Sequence, residues 1–415
     1  MVTIQPVPHA LVPRDTDAAN QLTAPNYDEF QSDREVWDLL QQRPESVLRV
    51  TMAHCHVPRF DDILPDGGPE SLSHAAGEMK SLAESDLVRA VHDVLWVYEV
   101  VSPLRPEVRQ LGLGGFARTV EIRTDDQPDG SIIRNEGVRP EKAEGRARLI
   151  TATSAYIGTV NCAVRDRSGE FVAALESTSD SRPCDFEATD EAGNRHRAWL
   201  ISDSQDIARY QSLLAAEPAA YVADGNHRSA AAAMLGKEHF LAVFFPTERM
   251  HLEPYNRLLP SSGLSRDELL AWLSKNFEIA PLGAVDQFRP DGIHEIGLYM
   301  AGEWESLRPK AEAFDPHSAA ESIDAAIVQR HIIDGSLGIT DARDKRINYV
   351  GGNKDSRYLK ARVDAGDYDL ALSLAPVTMQ QFCDVCEQNQ FMPPKSTWFD
   401  PKIRSGMVIA LLNGG

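Results

Sequence analysis

The chain has 415 residues, and 62 Asp plus Glu against 42 Lys plus Arg leave a formal net charge of −20. That balance repels polyanions and argues against a nucleic-acid partner. An apolar fraction of 42% fills a substantial core, and no apolar run reaches the roughly 18 residues of a membrane helix.

The opening MVTIQPVPHALVPRDTD lacks the basic-then-apolar form of a secretory signal. Five cysteines suit reduced thiols better than a disulfide framework. Together these features predict a cytoplasmic protein without a membrane partner. At roughly 150 residues per domain the length predicts two or three domains. The expected divisions are an N-terminal lobe over 1–130, a core over 131–260 and a C-terminal lobe over 261–415.

Residues 1–45 are polar and broken by Pro6, Pro8, Pro13 and Pro25. The apolar run Val47–Met52 predicts a strand, and helical spacing over 69–91 predicts a helix. Strands follow at 93–102 and 109–122, then a turn at Asp125–Gly130, a short strand at 131–134 and the charged segment Arg134–Arg148. A strand near 156–164 precedes a hairpin over 184–201, turning at Glu191-Ala192-Gly193-Asn194.

A helix is expected at 203–216, a buried strand at 219–223, an alanine-rich helix from about 228 to 236 and a strand at 242–245. In the second half, Ser265 starts a helix striped by Leu269, Leu270, Trp272, Leu273 and Phe277. A second hairpin turns at Ala301-Gly302-Glu303. Helices at 318–334, 355–366 and 377–389 alternate with strands at 347–350 and 368–374. Hairpins mixed with helix–strand alternation predict an α+β (mixed α/β) protein, not a pure doubly wound sheet.

The sharpest chemical signal is Asp224-Gly225-Asn226-His227-Arg228. A strand running through Gly225 into a helix aims unpaired N–H groups and the positive end of the helix dipole outward, where phosphate binds. Arg228 can grip phosphate oxygens and His227 can offer a ring N–H. Asp224 can hold Mg²⁺ or orient a hydroxyl. Spacing alone also fits a capped helix, with Asp224 on the helix N–H groups and Arg228 solvated.

Around these residues, AYVADGNHRSAAAAML resembles the corner of the ParB and sulfiredoxin superfamily, which includes free-serine kinases. In that superfamily a Gly-x-His-Arg or Gly-x-Arg-Arg box binds nucleotide phosphates. More closely, the chain resembles the bacterial domain-of-unknown-function 1015 family. The resemblance runs through APNYDEF, RNEGVRPEK, YIGTV, HRAWLISD, YVADGNHR, FFP with EPYNRLL, INYVGG and MPPKSTWFDPKIRSG, spanning residues 24–406. It departs at Asn226, where the family usually has His, and at Asn135-Glu136-Gly137, where it has His-x-His. Sulfiredoxins place a reactive Cys where Asn226 stands, so sulfinic acid reduction is not expected.

Within the charged segment, Glu136 is a candidate base, and Arg139 and Lys142 are candidate phosphate cations; a solvated helix face is the alternative. Lys395, Ser396 and Thr397 follow a rigid Pro pair and are expected to line the same site, with Lys402 and Arg404 close by in sequence. Cys383 and Cys386 read as two buried helix thiols, since no second pair completes a zinc site. His54 and His56, flanking Cys55, read as exposed residues at a strand end or a metal site. No nucleophile elbow is present.

The resemblance and the corner together imply a nucleotide-dependent kinase. ATP or ADP with Mg²⁺ would bind at Asp224–Arg228, and a hydroxyl-bearing amino acid or similar metabolite would accept the phosphoryl group. Asp224, Glu136, His227 and Arg228 would act in catalysis. Gly225, Asn226, Arg139, Lys142, Lys395, Ser396 and Thr397 would bind the nucleotide. A ParB-like nucleotide switch and a phosphatase are the alternatives. Asp224 and Arg228 are expected to line the largest polar cleft.

Overall fold

A computed structural model describes residues 1–412. Their contacts form two compact units, one of residues 1–250 with the described residues from 401 on, the other of residues 251–400. The chain is mixed α/β.

In the first unit the longest strand, Val88–Val101, organises the sheet. Val88–Val94 pairs with Val7–Pro13, while residues 95–101 pair with both Arg109–Gly114 and Arg195–Ile201. Trp96 lies opposite Gly114, where an added Cβ would fall 1.9 Å from the indole ring, so only glycine lets these strands close.

The main path of this eleven-stranded sheet runs Ile132–Arg134, Ala220–Asp224, Val160–Val164, His239–Pro246, Arg109–Arg118, Val88–Val101, Val7–Pro13, Ile409–Leu411 and Ala155–Tyr156. Two of its pairings are parallel and the rest antiparallel. Strands from both sides of residue 130 share this one sheet, so no lobe boundary falls there, and the division found is twofold with breaks at 250 and 400.

The second unit holds a six-stranded antiparallel sheet in the order Phe277–Gly283, Glu303–Pro309, Ile296–Met300, Leu370–Ser373, Tyr255–Leu259 and Asn348–Gly351. Leu269 and Leu273 from the helix Arg266–Leu273 pack into its core with Leu298, Leu307, Ile332 and Leu372. Ser265 starts that helix with a capping box closed by Glu268.

Three sequence expectations change. Val47–Met52 is not a strand: Leu48–Thr51 is helical and Ala53–Cys55 continues as a tight turn. A short apolar run cannot by itself tell helix from strand. The helix expected over 69–91 stops at Ala83, because residues from Val88 join the sheet. The helix expected over 318–334 is α-helical only over Asp324–Val328 and widens into a π-helical turn over Gln329–Asp334.

All five cysteines are free of disulfides, and Cys383 and Cys386 are buried on the helix Met379–Glu387. Among the described residues no helix is long and apolar enough to cross a membrane.

Candidate functional site

The strand Ala220–Asp224 lies between Ile132–Arg134 and Val160–Val164, so its apolar residues are buried and its end reaches the sheet margin at Asp224. Gly225 then takes φ +98°, and the helix Asn226–Met234 begins. A Cβ on Gly225 would lie 2.8 Å from Arg228 Nε, so glycine is needed both for the turn and for the space the guanidinium fills.

Arg228 is 8% exposed, not solvated. Its Nη1 donates to Asn26 Oδ1 at 2.5 Å, and Nη2 lies 3.6 Å from Asp224 Oδ2. Nε and Nη2 are buried and have no hydrogen-bond partner. Burial works against the charge, but Asp224, Asp28, Tyr27 and Glu29 hold the guanidinium above its ordinary range. A buried cation with two unbonded N–H groups is costly unless an acceptor arrives.

Asn26 ties this corner to the returning C-terminal segment. Its Oδ1 also accepts from Ser405 Oγ at 2.8 Å, and its Nδ2 donates to the Ile403 carbonyl at 3.0 Å. Lys402 Nζ lies 3.3 Å from Asp224 Oδ2.

The same loop carries Glu29, whose Oε1 accepts from the Asn26 N–H at 2.7 Å. Burial pushes the Glu29 carboxyl up to about 7, with Lys402 opposing and Asp28 and Asp224 reinforcing the shift. Tyr27 is raised by burial and by Asp28, and Arg146 lies over its ring at 3.8 Å.

The segment before the helix Pro140–Thr153 meets the corner from another side. The Arg139 N–H donates to His227 Nε2 at 3.1 Å, and Asn226 Nδ2 donates to Asn135 Oδ1 at 3.0 Å. His227 therefore carries its proton on Nδ1. Burial, then the Lys142 and Arg139 charges, lower its pKa to about 4. Glu136 stands next to Asn135 and is partly buried. Asn135 and Arg139 thus contact the corner, and Lys142 acts on His227 through its charge; Glu136 follows Asn135 in the chain.

Lys395, Ser396 and Thr397 belong to the other unit. There the Lys395 ammonium lies 3.4 Å from Tyr255 Oη, its carbonyl accepts from Arg257, and Ser396 Oγ donates to the Pro393 carbonyl at 2.7 Å.

The expectation of a polar cleft is corrected. Arg228 lines a pocket of about 550 Å³, counted to its open mouth, whose wall is chiefly apolar: Leu149, Ile150, Tyr156, Ile157, Phe240 and Leu241. Arg146, Tyr27 and Ser405 add polar groups, and Asp224 is not in the wall.

Asp224 does not fit the role of Mg²⁺ ligand expected of it. Its Oδ2 already faces two cations at 3.3 and 3.6 Å, and a dication there would meet their repulsion.

Sequence reasoning missed Glu29, Asn26 and Tyr27. APNYDEF stood out only as a family-like segment, and the carboxyl chemistry of Glu29 comes from burial by distant residues. His54 and His56 were expected to be exposed at a strand end; His54 is buried in the tight turn and His56 is half-buried.

The corner is thus a strand–glycine–helix turn in a mixed α/β protein, built on a buried, under-bonded arginine with further cations and the raised Glu29 carboxyl around it. The chain belongs to the family described as Protein of unknown function (DUF1015), whose model matches residues 4–331. No curated protein matches it.

Similar solved structures include a free serine kinase in complex with AMP, at TM-score 0.36 and 10% identity over 65% of this chain and 83% of that one. SbnI with C-terminal truncation from Staphylococcus aureus has TM-score 0.38 and 10% identity over 69% and 82%. A conserved hypothetical protein from Pyrococcus furiosus has TM-score 0.34 and 12% identity over 66% and 89%. Likenesses this slight carry no argument about activity.

Proposed function

We propose that this chain is a nucleotide-dependent phosphotransferase, a kinase acting on a hydroxyl of an amino acid or similar small metabolite. The observation that carries the reading is Arg228, buried with two N–H groups in no hydrogen bond at the start of a helix. A phosphate there satisfies both N–H groups and meets the helix dipole. Arg139, Lys142 and Lys402 supply further positive charge, as transfer of a phosphoryl group requires. The resemblance of DGNHR to a nucleotide-phosphate box supports the same reading.

In the reaction proposed, Glu29 takes the proton from the acceptor hydroxyl. The hydroxyl oxygen bonds to the terminal phosphorus of ATP or ADP, the bridging P–O bond breaks, and the shortened nucleotide leaves with its electron pair. A carboxyl titrating at about 7 suits that task better than Asp224, which is engaged by Lys402 and Arg228. His227 stays neutral and fixes the Arg139 segment through Nε2, while Glu136 orients the acceptor. Any Mg²⁺ arrives with the nucleotide phosphates, as that ion commonly does.

Phosphorus NMR of the protein with ATP, Mg²⁺ and a pooled metabolite mixture tests the proposal. A new phosphoester resonance is expected. Free phosphate alone identifies a hydrolase or switch instead.

A further inference from the structure

Away from the corner, but within the first unit, three side chains converge in a way that hydrogen bonding does not explain. The helix Pro69–Ala83 carries His74 and Glu78 at i,i+4, hence on one face. That helix packs on Leu48–Thr51 and the Ala53–Cys55 turn, which delivers His56. The His56 and His74 rings stack at 5.3 Å and 21°. His56 Nδ1 lies 3.4 Å from Glu78 Oε1, and His74 Nε2 lies 3.3 Å from the same oxygen. One donor atom from each residue lies within 4.8 Å of the others.

As hydrogen bonds these contacts are poor. His56 Nδ1 is buried and makes none. Native proteins rarely leave such an atom unpaired without a ligand or ion to explain it. As ligand-to-ligand edges the same distances are right. Four-coordinate zinc with bonds of about 2.0–2.1 Å puts its ligand atoms roughly 3.3–3.4 Å apart.

We propose that His56 Nδ1, His74 Nε2 and Glu78 Oε1 form a binding site for a divalent transition metal of the zinc class, with solvent completing the shell. Two imidazoles and a carboxylate select zinc, cobalt or nickel over magnesium and calcium, which prefer all-oxygen sites. The three side chains are 19–31% exposed, so an ion can reach the site and keep a water.

The surroundings have the form of an outer shell. Arg49 Nε forms an ion pair with Glu78 Oε2 at 3.5 Å, without a hydrogen bond, and Arg49 Nη1 is held by Glu45 at 2.7 Å. A cation beside a ligating carboxylate is one form such an outer shell takes, and metal binding would let Glu78 tighten toward it. Glu45, Arg49 and Glu78 together carry one net negative charge, which a dication offsets.

The neighbouring group Asp33, His54 and Cys55 is a weaker candidate, although its donor atoms are equally close. Both ring nitrogens of His54 already face carboxylates, Asp33 at 3.3 Å and Asp66 at 3.5 Å.

The test uses the full chain, stripped with a chelator and titrated with Co²⁺ while visible absorption and calorimetric heat are followed. The expected result is one equivalent of four-coordinate Co²⁺ with nitrogen and oxygen ligation, displaced by Zn²⁺ and indifferent to Mg²⁺. His74→Ala and Glu78→Gln, both on a partly exposed helix face, should weaken binding by more than the roughly 10–100-fold that loss of an outer-shell partner costs. Thermal melts without metal check that each variant is folded, and His74→Gln serves if His74→Ala is not. The absence of stoichiometric binding overturns the site, as does unchanged affinity in the folded variants. A thiolate charge-transfer band that vanishes in Cys55→Ser also overturns it, in favour of the neighbouring group.

Discussion

Arg228→Ala separates a phosphate-binding arginine from a structural one. Two effects on the unliganded fold oppose each other. The variant loses a charged hydrogen bond to Asn26, worth about 1.5–3 kcal/mol, but also removes two buried unbonded N–H groups, whose burial costs about 1–3 kcal/mol. Asn26 keeps Ser405 as a donor and Asp224 keeps Lys402, so neither is stranded. The two effects are of similar size and opposite sign, so the net change in stability is small, within about 1 kcal/mol of zero.

The effect on nucleotide binding has no such compensation. Nucleotide at a hundred times its dissociation constant stabilises the wild type by ~2.7 kcal/mol. Charged hydrogen bonds worth about 1.5–3 kcal/mol correspond to a roughly 10–150-fold change in affinity. At a hundredfold loss the same nucleotide concentration stabilises the variant by only ~0.4 kcal/mol. Thermal melts with and without ATP, ADP and AMP read this directly. Equal nucleotide stabilisation in wild type and Arg228→Ala refutes the phosphate role of this residue.

The neighbouring groups give further predictions. Glu29 has its folded pKa raised from 4.5 to about 7, so the fold holds the proton more tightly than the unfolded chain, and stability falls as pH rises from 4.5 through 7. Glu29→Gln should abolish that fall in urea titrations at several pH values. It should also lower turnover roughly 100-fold or more, as loss of a general base does, while the wild-type rate climbs with pH to a plateau above 7. His227 has its folded pKa lowered from 6.5 to about 4, so its contribution is whole above 6.5 and is lost as pH falls toward 4; an imidazole NMR resonance titrating near 6.5 contradicts this. Gly225→Ala forces φ +98° on a residue with a Cβ and crowds Arg228 Nε at 2.8 Å. Denaturant melts should show a loss of about 1–3 kcal/mol, with nucleotide stabilisation reduced because the guanidinium must move.

How legible these features were in the sequence depended on how local their causes are. Ser265 and Glu268, three residues apart, close a capping box that pattern alone reveals. The hairpin turning at Glu191–Asn194 and the strand running into Gly225 were likewise visible, because turn chemistry and apolar runs are short-range signals. Val47–Met52 was not, since a six-residue apolar stretch carries no decisive period.

At the site, DGNHR announced the corner, but not that Arg228 would be buried. That follows from Asn26 and Ser405, which lie 202 residues before it and far along the chain after it. Glu29 was invisible as a base for the same reason: its neighbours Lys402 and Asp224 are distant in sequence, and only the fold brings them together.

The central claim is that phosphate lands on the unbonded N–H groups of Arg228. The most direct measurement is the guanidinium Nε–H NMR signal of Arg228, assigned by its loss in Arg228→Lys, during titration with ATP, ADP and inorganic phosphate. A saturable downfield shift is expected, as an N–H without a partner gains a charged acceptor. A signal that stays in place while nucleotide binding saturates would contradict it.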